Sequence, residues 1–171
     1  MEDFTLQPEA LQDRLMAVAA HPLAELLDCP QTASNLLHSA ACSLNFEAGL
    51  TVFRQHEACK GLYVIVSGDF TRKAERFQQR VTLGAARAGD LVELAAALGD
   101  GHHTYSLTAI TQGSVLLLPM EALQQSFVSF PPLRMRLLEE LAREVSRAYL
   151  SCCLSRIMPA RRQGTAAARG E

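Results

Sequence analysis

Residues 89–109 constrain the fold of this chain more than any other stretch. They contain Gly89-Asp90, a run of small helix-forming residues, a Gly-Asp-Gly loop at 99–101 and an alternating run that ends at Ala109. This order predicts a strand, a short helix and a second strand that folds back. The helix start and the glycine loop would leave backbone N–H groups free, so the segment predicts an anion pocket. Ordinary turns also use Gly and Asp, so a purely structural role is the alternative.

The length and charge of the chain limit its class. It has 171 residues, 49% of them hydrophobic, which suits one domain with its own core and a long flanking helix. The formal net charge of −2 predicts no DNA-binding surface of wide extent. The first four residues include two acidic residues and no basic one, and no apolar run is long enough to cross a bilayer. We therefore expect a soluble, cytoplasmic protein with no membrane partner.

The cysteines form no recognisable metal or disulfide pattern. The chain has an odd number of cysteines, and no two of them form a Cys-x-x-Cys pair. They are Cys29, Cys42, Cys59, Cys152 and Cys153. This spacing argues against a disulfide scaffold, a structural zinc site and a conventional iron–sulfur site, and it favours a reducing compartment. The adjacent Cys152 and Cys153 are either small apolar fillers or a thiol switch.

Short apolar runs between turn residues predict strands at 42–46, 50–53, 62–66, 70–74, 80–85 and 114–118. Turn signals about every eight to twelve residues predict an antiparallel sandwich or roll. Helical spacing predicts cap helices at 8–20 and 22–27, and Thr32 or Ser34 can cap a further short helix. Another short helix is predicted at 121–127.

The last predicted element is a long helix at 133–154, which follows two prolines and contains no helix breaker. Its apolar residues at alternating spacings of three and four predict an a/d seam of Leu138, Leu141, Val145, Ala148 and Cys152. Leu133, Leu137 and Leu141 form a second apolar edge near its start. We expect this edge to pack on the body and the later part to pack on a second copy of the chain. A helix that packs only on its own domain is the alternative.

Together these features resemble the effector domain of the Crp/Fnr regulators. The resemblance covers residues 23–156 and rests on five motifs: the run from Leu62 to Asp69, the Gly89-Asp90-Leu91-Val92 turn, Gly101-His102-His103, Leu118-Pro119, and Pro132-Leu133-Arg134. It implies an α+β fold, a cyclic-nucleotide-binding-type antiparallel β-roll, or jelly roll. The implied organisation is a helical cap at 1–40, a roll at 41–131 with a phosphate cassette at 89–109, and a dimerisation helix at 132–156. The small, polar tail at 157–171 should be disordered.

In that family a winged helix-turn-helix follows the long helix, whereas this sequence ends within fifteen residues of Arg156. We therefore expect no sequence-specific DNA binding by this chain alone. Homodimers through the long helix, and mixed dimers with full-length regulators, are the partnerships that the resemblance implies.

The resemblance also implies a ligand site, and here the chain departs from the family pattern. Members that bind cyclic nucleotides carry Gly-Glu-Leu-Ala, whose glutamate takes the ribose hydroxyl, and Arg-Ser or Arg-Thr, whose arginine pairs with the phosphate. Glu93 fits only if the preceding glycine is deleted, and His103 stands at the arginine position. A mostly neutral imidazole is a poor substitute for a bidentate guanidinium. The candidate ligand-binding residues are Gly89, Asp90, Glu93, Leu94, Gly101, His103 and Thr104.

The sequence predicts neither a cofactor nor an enzyme. Fnr-type oxygen sensing needs cysteines grouped near the N-terminus and a distant fourth, but Cys29, Cys42 and Cys59 are too widely spaced and Leu116 stands where the fourth would lie. A metal-dependent cupin needs converging histidines, and the adjacent His102 and His103 would point to opposite faces of a strand. No nucleophile elbow, P-loop or paired-carboxylate motif is present.

Two functions remain open. The first is a dimeric regulatory sensor module of Crp/Fnr type, with a degenerate cyclic-nucleotide pocket that takes an unknown small effector or none. The second is a working domain that binds cyclic AMP or cyclic GMP, in which the nucleotide is the ligand.

Overall fold

The structure, a computed structural model, describes residues 23–76 and 79–157. Residues 23–27 form a helical turn ahead of the first complete element. The elements that follow are α1 (Gln31–Ala40), β1 (Cys42–Phe46), β2 (Thr51–Phe53), β3 (Gly61–Ser67), β4 (Phe70–Arg76), β5 (Gln79–Ala86), β6 (Leu91–Val92), a π-helical turn (Ala96–Asp100), β7 (Ser106–Ala109), β8 (Gly113–Pro119), α2 (Met120–Ser129) and α3 (Pro131–Ile157).

Two four-stranded sheets form the body of the protein. Their strand orders are β1-β8-β3-β6 and β2-β7-β4-β5, and all the neighbouring strands are antiparallel. The predicted antiparallel roll is therefore confirmed. The two arms predicted at 70–74 and 80–85 pair as β4 and β5, with Phe70 opposite Ala86.

Strand β3 is buried on both faces, which explains why its sequence is apolar without alternation. Tyr63 and Ile65 belong to the core inside the roll, together with Phe53, Phe70, Ala74, Ala86, Val92, Tyr105, Leu107, Ala109 and Val115. Their neighbours Leu62 and Val64 belong to a second core against the helices, with Leu23, Leu27, Leu37, Leu94, Ala97, Leu118, Ala122, Leu123, Leu133 and Leu137. One strand therefore joins two cores.

Helix α1 begins without the side-chain cap that its sequence predicts. Pro30 occupies the N-cap position and makes no side-chain cap, while its carbonyl accepts from the N–H groups of Ala33 and Ser34 at 3.0 Å. The prediction that Thr32 or Ser34 caps this helix is wrong, because both residues lie inside it. Residues 23–27 agree with the cap helix predicted at 22–27. The predicted helix at 8–20 and the tail beyond residue 157 lie outside the described residues.

Helix α3 changes its surroundings along its length. Leu133 and Leu137 are buried, and the half-buried Leu141 packs against the same core, which confirms the packing predicted for the apolar edge near the start of the helix. Val145, by contrast, is 59% exposed. Neither α3 nor any other helix in the described part of the chain is long and apolar enough to cross a membrane.

Candidate functional site

The turn at Gly89-Asp90 is held against β3 by backbone hydrogen bonds. The Gly89 N–H donates to the Ile65 carbonyl at 2.9 Å, and the Ile65 N–H donates to the Asp90 carbonyl at 3.0 Å. The Asp90 carboxylate accepts from the Arg87 N–H at 2.9 Å. Strand β6 then places Val92 opposite Tyr63. The start of the segment is thus fixed to the roll by its own main chain.

Glu93 turns the chain sharply away from β6. Its φ of 68° is in the left-handed region, which residues other than glycine rarely adopt, so surrounding contacts must maintain it. One such contact is the Glu93 N–H, which donates to the Tyr105 hydroxyl at 3.2 Å. The short helix at 94–100 follows and ends at Gly101, whose φ of 67° suits glycine. The predicted strand, short helix and strand of residues 89–109 are confirmed.

Glu93, His103 and Thr104 form a group that we call the inner cluster. The Glu93 carboxylate accepts from the Thr104 N–H at 3.2 Å and from the Thr104 hydroxyl at 3.1 Å. His103 Nδ1 lies 3.5 Å from Glu93 Oε2. Glu93 and His103 are each only 2% exposed. The glutamate that the family pattern offers to a ribose is therefore already engaged by the cassette itself.

The His103 ring is part of the core inside the roll. It stacks on Phe53 with ring centroids 3.8 Å apart and an angle of 10° between the planes, and it lies 5.7 Å from Tyr63. Its backbone N–H donates to the Glu57 carbonyl, and its own carbonyl accepts from the His56 N–H. His103 is thus held by its ring and by its main chain, in a position that solvent scarcely reaches.

A cleft of about 530 Å³ lies between the roll and α3, and we call it the roll–helix cleft. Gly89, Asp90, Leu91 and Leu94 form part of its wall. Its lining includes four arginines and five carboxylates: Arg72, Arg136, Arg143, Arg147, Asp28, Asp90, Glu139, Glu140 and Glu144. The cleft therefore combines an apolar wall with a strongly charged one.

Arg72 of β4 faces Glu144 of α3 across this cleft. Their closest atoms, Arg72 Nη1 and Glu144 Oε1, are 3.8 Å apart, which is too long for a hydrogen bond. The Arg72 guanidinium carbon lies 5.9 Å from the centre of the Tyr105 ring. Arg72 Nε is buried and has no hydrogen-bond partner among the described residues. Burial raises the pKa of the Glu144 carboxyl above its usual value, while Arg72 opposes that rise.

The structure divides the seven predicted ligand-binding residues among three places. Gly89, Asp90 and Leu94 line the roll–helix cleft, while Glu93, His103 and Thr104 form the inner cluster. Gly101 lies apart from both, at the end of the short helix, where its carbonyl accepts from the Cys59 N–H at 2.8 Å.

The sequence analysis did not select Arg72 and Glu144, which line the roll–helix cleft. It also did not select Tyr105, which contacts both Glu93 and Arg72. A signal for Arg72 was present, because it alternates with Phe70 and Ala74, both of which are buried. A charged residue on the buried face of a strand calls for an explanation. Glu144 carries no comparable signal, because it is one of several carboxylates on a charged helix.

The predicted dimer seam on α3 is accessible along the described part of its length. Leu138 is 37% exposed, Val145 is 59% exposed and Ala148 is also exposed. Leu141 differs, because it packs in part on the roll. The side chain of Cys152 lies outside the described residues. Tyr149 and Leu150 add further exposed apolar surface close to the seam.

Within residues 23–76 and 79–157, no three His, Cys, Asp or Glu side chains are arranged to hold a metal ion. The cysteines whose side chains are described there, Cys29, Cys42 and Cys59, are free thiols. Burial raises the pKa of Cys29 and Cys59. Both thiols are therefore poorly suited to act as thiolates.

Comparison with known proteins gives a consistent result. The family model of the cyclic nucleotide-binding domain matches residues 43–129. The sensor domain of the transcriptional regulator DNR from Pseudomonas aeruginosa is similar, with a TM-score of 0.69 and 18% identity over 78% of this chain and 92% of that chain. No curated protein matches the chain.

Two further solved structures are similar. The catabolite activator protein of Thermus thermophilus has a TM-score of 0.66 and 25% identity over 78% of this chain and 62% of that chain. A cyclic nucleotide-binding domain from Methylobacillus flagellatus has a TM-score of 0.70 and 15% identity, over 84% of this chain and 86% of that chain.

Proposed function

Because this chain belongs to the cyclic nucleotide-binding domain family, we propose that it is a cytoplasmic sensor module of Crp/Fnr type whose nucleotide cassette is closed by its own side chains. It acts by binding and by assembly rather than by catalysis. The observation that carries this proposal is the burial of the Glu93 carboxylate, which accepts hydrogen bonds from Thr104 and lies 3.5 Å from His103 Nδ1.

A cyclic nucleotide needs an acceptor for its ribose hydroxyl and a strong donor for its phosphate. To accept a ribose hydroxyl, the Glu93 carboxylate would have to leave a position in which it is 2% exposed and accepts from Thr104, and breaking buried hydrogen bonds is costly. To meet a phosphate, His103 would have to leave its stack on Phe53. These two costs favour a degenerate nucleotide pocket over a working one, and they support the first of the two functions left open by the sequence.

Calorimetric titration of the full chain with cyclic AMP and cyclic GMP tests this proposal. We expect no saturable heat at ligand concentrations of several hundred micromolar, because the cassette's own contacts must be broken first. A far-UV circular dichroism melt of the same sample is the control for a folded protein. Saturable binding in the low micromolar range would instead support a working cyclic-nucleotide domain.

The proposal includes a homodimer through α3. The seam residues Leu138, Val145 and Ala148 are exposed, and a two-fold partner would bury this apolar surface. Mixed dimers with full-length regulators would use the same surface. The partly buried Leu141 belongs to the core of its own chain as well, so it is a poor choice for a test of the dimer.

Sedimentation of the variant Val145→Asp tests the dimer. The substitution places a carboxylate on each side of one interface, where desolvation and mutual repulsion cost several kcal/mol, so a dimeric parent should become monomeric. Val128→Asp on α2 is the matched control, because Val128 is 82% exposed and lies away from the seam. It should leave the dimer intact. A parent that is monomeric at tens of micromolar would contradict the proposed assembly.

A further inference from the structure

The inner cluster buries a carboxylate beside a histidine without a hydrogen bond between them. His103 Nδ1 lies 3.5 Å from Glu93 Oε2, both side chains are almost fully buried, and this nitrogen has no hydrogen-bond partner among the described residues. With a neutral imidazole the pair holds one negative charge away from water, and a buried charge is costly unless it is paired and hydrogen-bonded. The inner cluster is therefore one proton short of a neutral, hydrogen-bonded pair.

We propose that the inner cluster is a proton-binding site, in which the His103 ring takes up one proton from solution and donates from Nδ1 to the Glu93 carboxylate. Its role as a pH-dependent closure of the cassette rests on the proposed sensor function, whereas the proton affinity of His103 does not. An imidazolium has N–H groups on both ring nitrogens, and histidine ordinarily changes charge between about pH 5 and 8. Charge-assisted hydrogen bonds are shorter than the observed 3.5 Å, so proton uptake should draw the two side chains together.

The surroundings of the His103 ring favour its charged form. The ring stacks on Phe53 with centroids 3.8 Å apart, and a cation over an aromatic face is attracted by the quadrupole of that ring. The His103 N–H donates to the Glu57 carbonyl, and the His103 carbonyl accepts from the His56 N–H. These main-chain contacts hold the ring beside Glu93 in either charge state.

Three titratable side chains near the inner cluster stay neutral where a histidine titrates. Burial raises the pKa of Tyr63, whose ring lies 5.7 Å from that of His103, to about 12. Burial also raises the pKa of Tyr105 and that of the Cys59 thiol. None of the three therefore changes its charge between about pH 5 and 8.

The charged or titratable side chains that approach from other elements are less closely placed than Glu93. The side chains of His56 and Glu57 are exposed, and the Glu57 carboxylate accepts from the Arg54 N–H. Arg72 of β4 lies over the Tyr105 ring and faces Glu144 of α3. Glu93 is thus the charged group that should determine the proton affinity of His103.

Proton uptake would act on the cassette through Glu93. This residue has the left-handed φ of 68° at the point where the chain leaves β6, and its carboxylate also accepts from Thr104. A protonated His103 adds a charge-assisted donor to the same carboxylate. The cassette should therefore be held closed more tightly at acidic pH than at alkaline pH.

NMR spectra of the full chain labelled with ¹⁵N-histidine, recorded across the pH range, test the proposal, because the ring nitrogen shifts report protonation. His38 is the internal control. It is 7% exposed, and neither of its ring nitrogens has a hydrogen-bond partner in the part of the chain that the structure describes. His38 thus has the burial without the carboxylate, so we expect His103 to bind a proton at least about tenfold more tightly than His38.

Glu93→Gln keeps the shape of the side chain and removes its charge, so the proton affinity of His103 should fall at least about tenfold. Glu57→Gln is the matched control and should stay within about twofold of the parent, since the Glu57 side chain is exposed.

The proposal is overturned if His103 of the parent binds a proton no more tightly than His38, or if Glu93→Gln leaves the proton affinity of His103 unchanged. The comparison of the two histidines needs no substitution, so it decides the question even if Glu93→Gln does not fold. Saturable binding of cyclic AMP would contradict only the closed cassette, because the proton affinity is measured without nucleotide. The two proposals therefore fail separately.

Discussion

The inner cluster and the roll–helix cleft lie on two sides of Tyr105 and differ in how their charged groups are hydrogen-bonded. In the inner cluster, the Glu93 carboxylate is 2% exposed and accepts from Thr104, while the nearby His103 Nδ1 has no hydrogen-bond partner among the described residues. In the cleft, Arg72 lies near Glu144 without hydrogen-bonding to it. A buried carboxylate that accepts hydrogen bonds from its own chain stabilises the fold, whereas a guanidinium that only approaches a carboxylate contributes less.

The two regions share a short piece of chain. Residues 89–94 contribute Glu93 to the inner cluster and Gly89, Asp90 and Leu94 to the cleft. Tyr105 contacts both sides, because its hydroxyl accepts from the Glu93 N–H and its ring lies beneath the Arg72 guanidinium. The effects of substitutions in the inner cluster and in the roll–helix cleft on the stability of the protein can therefore be compared directly.

The largest effect should come from Glu93→Ala. The substitution leaves the Thr104 N–H without its acceptor and removes the carboxylate beside His103, and breaking a buried network of this kind costs about 3 kcal/mol. Urea unfolding should show this loss in the free energy of unfolding. Glu93→Gln keeps an acceptor oxygen of similar shape and should lose less.

The contrasting variant is Arg72→Met, which keeps much of the apolar stem and removes a guanidinium that has no hydrogen bond within residues 23–76 and 79–157. It should change the free energy of unfolding by less than about 1 kcal/mol. Equal losses for Arg72→Met and Glu93→Ala would show that both regions serve the fold, and would remove the distinction between them.

An effect smaller than that of Glu93→Ala is expected for Tyr105→Phe. The variant removes the hydroxyl that accepts from the strained Glu93 main chain at 3.2 Å and keeps the ring beneath Arg72. A single hydrogen bond of this kind contributes about 1 kcal/mol to stability, and thermal unfolding should show a corresponding drop in Tm. An unchanged Tm would show that this hydrogen bond does not hold the Glu93 main chain in place.

Much of the fold could be predicted from local sequence. Short stretches of sequence predict three elements that the structure contains. They are the unbroken apolar run of β3, the turn at Gly89-Asp90 and the helix after Pro131-Pro132. The resemblance to Crp/Fnr effector domains agrees with the family match and with the solved structures. The prediction that Thr32 or Ser34 caps α1 is wrong, because α1 begins at Gln31 with Pro30 as its N-cap residue.

The candidate site could be predicted only in part. Residues 89–109 form the expected strand, short helix and strand, but whether Glu93 faces a ligand or its own chain depends on its φ of 68° and on contacts with Thr104. The pairing of Arg72 with Glu144 joins β4 to α3 across a long separation in sequence. Such a contact exists only once the helix has packed on the roll, so no local pattern reveals it.

The smallest effect should be a pH dependence that arises from Glu144. Burial raises the pKa of this carboxyl, with Arg72 opposing the rise and Glu140, Glu93 and Asp90 adding to it. The folded state therefore holds the proton to a higher pH than the unfolded chain does, so this group costs stability as pH rises through that window. Glu144→Gln removes the cost. The stability of this variant relative to the parent should increase from mildly acidic to neutral pH, by less than about 1 kcal/mol because the side chain is 39% exposed. Urea unfolding across this pH range measures the difference.

In the Arg72→Met background the increase should be larger, because the group that lowers the pKa of Glu144 is gone. A stability difference that does not change with pH in either background would show that the Glu144 carboxyl is fully solvated.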